Sequence, residues 1–304
     1  MLAFCLILLL TMHLICVNVA AGGPMICLWL ERREGRGDAL AGRLGRYLAS
    51  TSWKALLAGA GLGVCIGFVV WTPEFSAALG RLKSKVLFGV LEVVFSWVLM
   101  LVHGWLWKRA PDCSGKARFW RCWLPFLAGT NLLYHFPVFF AIVSKVAGGA
   151  VEGDEAISSA DFRSLVADGE ILAKMLHFWL ASFAVCAMVM IGYGLRLERL
   201  QETENARRVM RWAGVWGLNA TALQVPVGIW LMLELPAATM QRLLGGDWLP
   251  AGLMGASIGL TLSLLGDLAA LAFGNASERK QKIRPMISMA AIVLAMTAVL
   301  KLIA

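Results

Sequence analysis

The sequence predicts an all-α polytopic membrane helix bundle of about eight transmembrane helices, with both termini on the outer side. Three observations carry this. Of 304 residues, 59% are hydrophobic and 15% charged, with a mean hydropathy of +0.72; a soluble domain is nearer half apolar and about a quarter charged. The apolar residues are bunched into runs near the length that crosses a bilayer as helix. The basic residues are unevenly divided between alternate connections.

The spans read as 4–29, 54–72, 86–107, 122–145, 171–194, 212–235, 250–273 and 283–303. The opening run lacks the positive start of a secretory leader, and apolar sequence continues beyond Pro24 to Leu30, so it predicts a long, tilted first helix. Span two carries Gly59, Gly63 and Gly67 at four-residue spacing. That bare face either packs closely on another helix or accepts a flat macrocycle. Span four has Asn131 and His135 one turn apart, followed by Pro137, and span six has Asn219, Thr221, Gln224 and Pro226. A proline in a span frees a carbonyl that such polar groups can satisfy. The acidic connection 146–170 contains "DFRSLVADGE", which reads as a short helix on the membrane surface. The whole chain, 1–304, reads as a single integral membrane domain.

With eight spans, twenty of the 28 Lys and Arg residues fall on one side and eight on the other. The positive-inside rule makes the basic side internal, which places both termini outside. This asymmetry also accounts for the formal charge of +9, so no nucleic-acid partner is implied. The seven cysteines show neither metal-site spacing nor C-x-x-C-H, which excludes covalent c-type haem. The sequons at Asn219 and Asn275 fall in a span and an internal loop, where neither would be glycosylated. No phosphate-binding loop or nucleotide fingerprint is present.

All four histidines, His13, His103, His135 and His177, lie in spans. Ionisable groups in lipid are costly and default to functional roles. Imidazole ligates haem iron well, whereas the plain alternative is a helix–helix hydrogen bond worth about 1 kcal/mol. His13 and His177 fall in the outer part of their helices, His135 nearer the middle, and His103 beside "GWLWKR" reads as interfacial. Glu92, two turns into span three, would protonate if unpaired, so a cation, metal or proton-transfer role suits it better. Asp267 lies in the inner half of span seven, and Glu234 near the outer end of span six.

Taken in order, several segments resemble subunit I of the cytochrome bd quinol oxidases. They are "MHLICVNVAAGGPMICLWLE", "YLASTSWKALLAGAGLGVCIGF", Glu92 in "VLEVVF", "WLPFLAGTNL", and "FRSLVADGEILAKMLHFWLASFAVCAMVM", which contains the family's "K-x-x-H" helix start. The resemblance covers most of spans one to seven and implies a divergent, shortened relative. It implies that His177 is an axial ligand of a low-spin b haem, with Met254 in "AGLMGASIGL" as its partner, a pairing that raises haem potential. It further implies a second haem on His13 with Glu92 opposite or nearby, and leaves His135 to ligate a haem or bond a propionate. One or two non-covalent b haems are thus expected.

The departures from the family are specific. Only "PAATMQRLLGGDW" joins spans six and seven, where the family has a long quinol-binding loop. "G-R-Q-P-W" and the glutamate before it are missing, span eight has no carboxylate, and the stretch after Glu92 reads "SWVLML" without a second one. The family has nine helices. These differences favour an electron-transfer subunit over a complete terminal oxidase, in a bacterial inner membrane, passing electrons to a partner membrane subunit or an external cytochrome c. The alternative is a haem-free transporter or scaffold on the same fold, with His135, Gln224 and Asp267 lining a cavity.

Overall fold

A computed structural model describes residues 2–109, 116–274, 276 and 278–303. Cys113 and the sequon residue Asn275 lie outside the described residues. The described chain is helical throughout, with helices α1 (Leu2–Glu34), α2 (Ala39–Val69), α3 (Pro73–Arg81), α4 (Lys83–Arg109), α5 (Lys116–Ala147), α6 (Ser159–Val166), α7 (Gly169–Arg199), α8 (Thr203–Leu233), α9 (Ala237–Gln241), α10 (Trp248–Phe273) and α11 (Arg279–Ile303). Eight are long and apolar enough to cross a membrane. All eight expected spans are present, and several extend beyond the apolar run.

The long helices form two four-membered rings. In the first, α1 packs on α2, α2 on α4, α4 on α5 and α5 on α1; in the second, α7 packs on α8, α8 on α10, α10 on α11 and α11 on α7. Helix α1 also packs on α7 and α11, and α5 packs on α7, so α1 and α7 form the seam between the rings. Small residues let them approach. A Cβ on Gly22 would lie 2.6 Å from the carbonyl oxygen of Ser182, and the buried Ser182 hydroxyl donates to Asn18 Oδ1 at 2.8 Å. Without a hydrophobic drive between helices in lipid, such close backbone contact and hydrogen bonding supply the cohesion.

At the end where α1 finishes and α2 begins, a buried ionic cluster ties four helices together. Arg121 of α5 donates to Glu31 Oε2 of α1 at 2.7 Å and also to Glu34 Oε2. Trp107 Nε1 of α4 donates to the same Glu34 oxygen at 2.7 Å, and Arg46 of α2 reaches Glu34 Oε1 at 3.2 Å. Arg121, Glu31 and Trp107 are all buried. Helix α2 therefore begins well before its apolar run. Leu40, Ala41, Leu44, Leu48 and Ala49 bury one face while Arg43 and Arg46 leave the other.

The opposite end is closed by short helices. Thr72 caps α3 by accepting from Phe75 N, with Pro73 at the first position, where its missing N–H costs nothing. Arg81 at the end of α3 donates to the carbonyls of Val151, Glu152 and Glu155 at 2.9–3.0 Å. This pins the acidic connection, whose expected helix is α6, capped by Ser158. Asp168 then caps α7. Partial burial pushes the Asp168 carboxyl up, but the Lys145 ammonium at 2.6 Å and the Ile171 N–H together hold it below the ordinary carboxylate range.

Two outcomes follow for thermal unfolding in detergent. Gly22→Ala drives a methyl into the Ser182 backbone and should cost about 1–3 kcal/mol, whereas Gly61→Ala, with no atom within 4 Å of the new Cβ, should be neutral or slightly stabilising. Arg121→Ala strands Glu31 and should cost about 3–5 kcal/mol; combining Arg121→Met with Glu31→Gln and Glu34→Gln should recover much of that loss.

Candidate functional site

His13 on α1 lies against α2. Its Nδ1 is 2.8 Å from the carbonyl oxygen of Gly59, an acceptor only, so Nδ1 carries the proton and Nε2 keeps its lone pair. Two of the glycines at four-residue spacing make room for this. A Cβ on Gly59 would lie 2.9 Å from Val17, and one on Gly63 would lie 3.0 Å from the His13 ring. Gly67 faces open space. Close helix packing thus explains Gly59, and Gly63 admits an imidazole.

His177 on α7 has a buried Nδ1 with no hydrogen-bond partner among the described residues. Its backbone carbonyl receives Gln224 Nε2 from α8 at 3.5 Å. The first and fifth spans meet around Asn18–Gly22 of α1 and Ser182–Cys186 of α7. His13 and His177 each precede the bonded Asn18–Ser182 pair by five residues, about 7.5 Å of helix.

Met254 is half-buried on α10, on the same face as the buried Pro250 and Ser257. In the second ring α7 and α10 are diagonal corners. The first ring repeats this: α1, with His13, is diagonal to α4, with Glu92. Four-helix bundles build cofactor sites from side chains projecting inward from facing helices.

Glu92 is taken from the side by α5. Its Oε1 lies 3.2 Å from His135 Nδ1, while Asn131 Nδ2 donates to Ser96 Oγ at 2.8 Å and to the Glu92 carbonyl at 3.1 Å. The His135 and Glu92 side chains are 44% and 23% exposed, so the pair sits at the edge of the ring rather than inside it. Expected to act separately, Glu92 and His135 are paired in the structure.

The remaining intramembrane polar groups have separate surroundings. Asp267 is 3% exposed and chelated by the Arg284 guanidinium, with Nε at 2.7 and 2.8 Å from its two oxygens. His135, Gln224 and Asp267, expected to share a cavity in the transporter reading, are each occupied by a different partner. His103, near the end of α4, is 2% exposed, its ring tilted against that of Trp107 at 5.0 Å, with Nε2 unpartnered among the described residues. The Trp107 indole beside it, which looked interfacial in sequence, is itself folded inward onto Glu34. Cys27 and Cys186 are buried, and the six described cysteines are unpaired. Among the described residues, no group of three or more His, Cys, Asp and Glu side chains is placed to hold a metal ion.

Two four-membered rings of long apolar helices, joined along α1 and α7, define an all-α membrane helix bundle. No protein-family model matches the chain, and no curated protein matches it in sequence. The structure is similar to that of the bd oxidase from Geobacillus thermodenitrificans, with a TM-score of 0.76, over 99% of this chain and 84% of that chain, at 13% sequence identity. At that identity the likeness is one of fold. The chain has the helical arrangement of a bd oxidase chain.

Asn131 holds α5 to α4 through two bonds. Asn131→Leu should lower stability by about 1 kcal/mol and loosen the Glu92–His135 contact. Thermal unfolding in detergent checks the first effect, and the infrared carboxylate band of Glu92, assigned with Glu92→Gln, checks the second.

Proposed function

We propose that this chain is a haem b-binding membrane electron-transfer protein. The observation that carries this reading is the repeated corner placement: His177 diagonal to Met254 in one ring and His13 diagonal to Glu92 in the other. The residues fit the group. A neutral imidazole with a free nitrogen is what ferrous and ferric iron bind; the Gly59 carbonyl leaves His13 Nε2 available, and His177 keeps a buried nitrogen without a partner among the described residues. A thioether and a carboxylate are suitable opposing donors.

In this reading His177 and Met254 hold one b haem, and His13 with Glu92 a second. A bound haem would supply reversible one-electron transfer. The Gly59 carbonyl orients the His13 ring, and Gly63 keeps the space beside it open. His135 positions the Glu92 carboxylate through Oε1. The apolar helices around His177 and Met254 would keep the local dielectric low, while Glu92 sits at the edge of its ring beside His135.

The bd oxidase fold and the basic ends of the helices support an integral protein of the bacterial inner membrane with outward termini and both haem pairs in the outer half. The connection from α8 to α10 contains only α9 and a single π turn, Arg242–Gly246. That supports a chain without the usual quinol loop, which passes electrons to a partner membrane subunit or an external cytochrome c rather than completing oxygen reduction.

A dithionite-reduced minus oxidised spectrum of protein from haem-replete cells, with haem extraction on the same sample, tests this. We expect a sharp low-spin b-type α band and one to two haems per chain. His177→Ala should abolish that band while the protein still inserts, and His13→Ala should lower the haem ratio without removing it. A monodisperse, colourless wild-type preparation, or a spectrum unchanged by His177→Ala, would end the assignment.

A further inference from the structure

The basic end of the bundle contains a cavity of about 680 Å³ between the α1–α2 turn and the start of α8. Four guanidiniums line it, from Arg33, Arg36, Arg43 and Arg208, against one carboxylate, Asp38. The arginines differ in how far they are committed. Arg33 and Arg208 share Asp38 Oδ2, at 3.2 and 2.9 Å. Arg43 is paired with Glu202 at 2.5 Å, and that pairing, with the Asn205 amide, holds the Glu202 carboxyl below its ordinary range and therefore charged at neutral pH. Arg36 has no ion pair among the described residues.

The cavity is built rather than incidental. Arg33 stacks over Trp29 and Trp212 with its Cζ 5.3 and 4.7 Å from the ring centroids, and Arg208 stacks over Trp212 at 5.4 Å. The two indoles pack edge to face at 5.5 Å across α1 and α8 and back the guanidiniums that line the cavity. Stacking and a shared carboxylate fix both guanidiniums, so little side-chain freedom is lost when a further anion binds. Gly37, at φ +90°, makes the tight turn that brings Arg36 over the opening.

We propose that this cavity is a binding site for a phosphate-bearing anion, at the level where membrane phosphodiester headgroups lie. Guanidiniums recognise phosphate oxygens through paired N–H donors. Basic pockets between membrane helices on the positively charged side take anionic headgroups, and tryptophans occupy the same interfacial layer. The volume exceeds a single phosphate and accommodates a glycerophosphate. The net excess of cations remains after Asp38 is counted. This site stands apart from the proposed haem pairs, so it holds whether or not the chain binds haem.

The test uses purified protein in neutral detergent with native mass spectrometry. Dioleoylphosphatidylglycerol and dioleoylphosphatidylcholine are added separately, and a parallel thermal-shift series uses inorganic phosphate and glycerol 3-phosphate without lipid. Phosphatidylglycerol should be retained about tenfold or more over phosphatidylcholine by the wild type. Arg36→Ala, which breaks no ion pair among the described residues, should reduce that preference several-fold, and Arg36→Ala with Arg208→Ala should abolish it; Arg279→Ala, a basic residue at the same end but outside the cavity, should leave it unchanged. That result assigns a lipid headgroup. A stabilisation by phosphate or glycerol 3-phosphate that is lost in the double variant, without lipid selectivity, assigns a soluble phosphate compound to the same site. Equal retention of both lipids with no phosphate-dependent shift, or a preference that survives in Arg36→Ala and the double variant alike, overturns the proposal.

Discussion

The contact between α1 and α7 is the constraint on which the rest of the structure depends. These helices belong to different rings and meet where neither has bulk: Gly22 lies on the Ser182 carbonyl, and Ser182 and Cys186 reach Asn18 and Val19. In water, burying apolar surface could join two bundles almost anywhere along their length. In lipid that drive is absent, and only a fitted contact sets register. The register set here brings Asn18 and Gly22 of α1 against Ser182 and Cys186 of α7.

At the basic end a different force operates. Two glutamates on α1 are held by Arg121, Arg46 and Trp107 from α5, α2 and α4. Such a cluster is poor evidence for stability gained over an apolar replacement, since desolvation of each ion offsets much of the attraction. It is good at making alternatives unfavourable. A rotation of α1 or α5 would part the buried Arg121 and Glu31. The packing of α1 is thus fixed by close contact near its middle and by charge near its end.

Helix number and most helix positions were legible in the sequence, because twenty apolar residues in lipid have few options besides helix. What was hidden lay where one residue's meaning depended on another far along the chain. The first half of α2 looks polar because Arg43 and Arg46 interrupt it, yet Leu40, Leu44 and Leu48 bury a continuous face. Arg121 reads as a loop charge until Glu31, ninety residues earlier, comes beside it. The start of α3 carried a visible signal, Thr-Pro-Glu, that hydropathy passes over. Among candidate site residues, the contact of His13 with α2 was foreshadowed by the glycines at 59 and 63, which leave room for it. The Glu92–His135 pair was not, because it needs the register of α5 against α4, which Asn131 sets.

The Asp267–Arg284 chelate bears on how the chain enters the bilayer. Asp267 is buried on α10, and its guanidinium partner is seventeen residues further on, in the first turns of α11. As synthesis proceeds from the N-terminus, α10 is complete before that partner exists, and alone it would carry a bare carboxylate into hydrocarbon. The arrangement suits translocation of the last two spans together as a hairpin, with the ion pair formed before either helix leaves the insertion machinery. The glutamates of α1 face no such difficulty, since they occupy its final turn and can wait at the headgroups until Arg121 arrives.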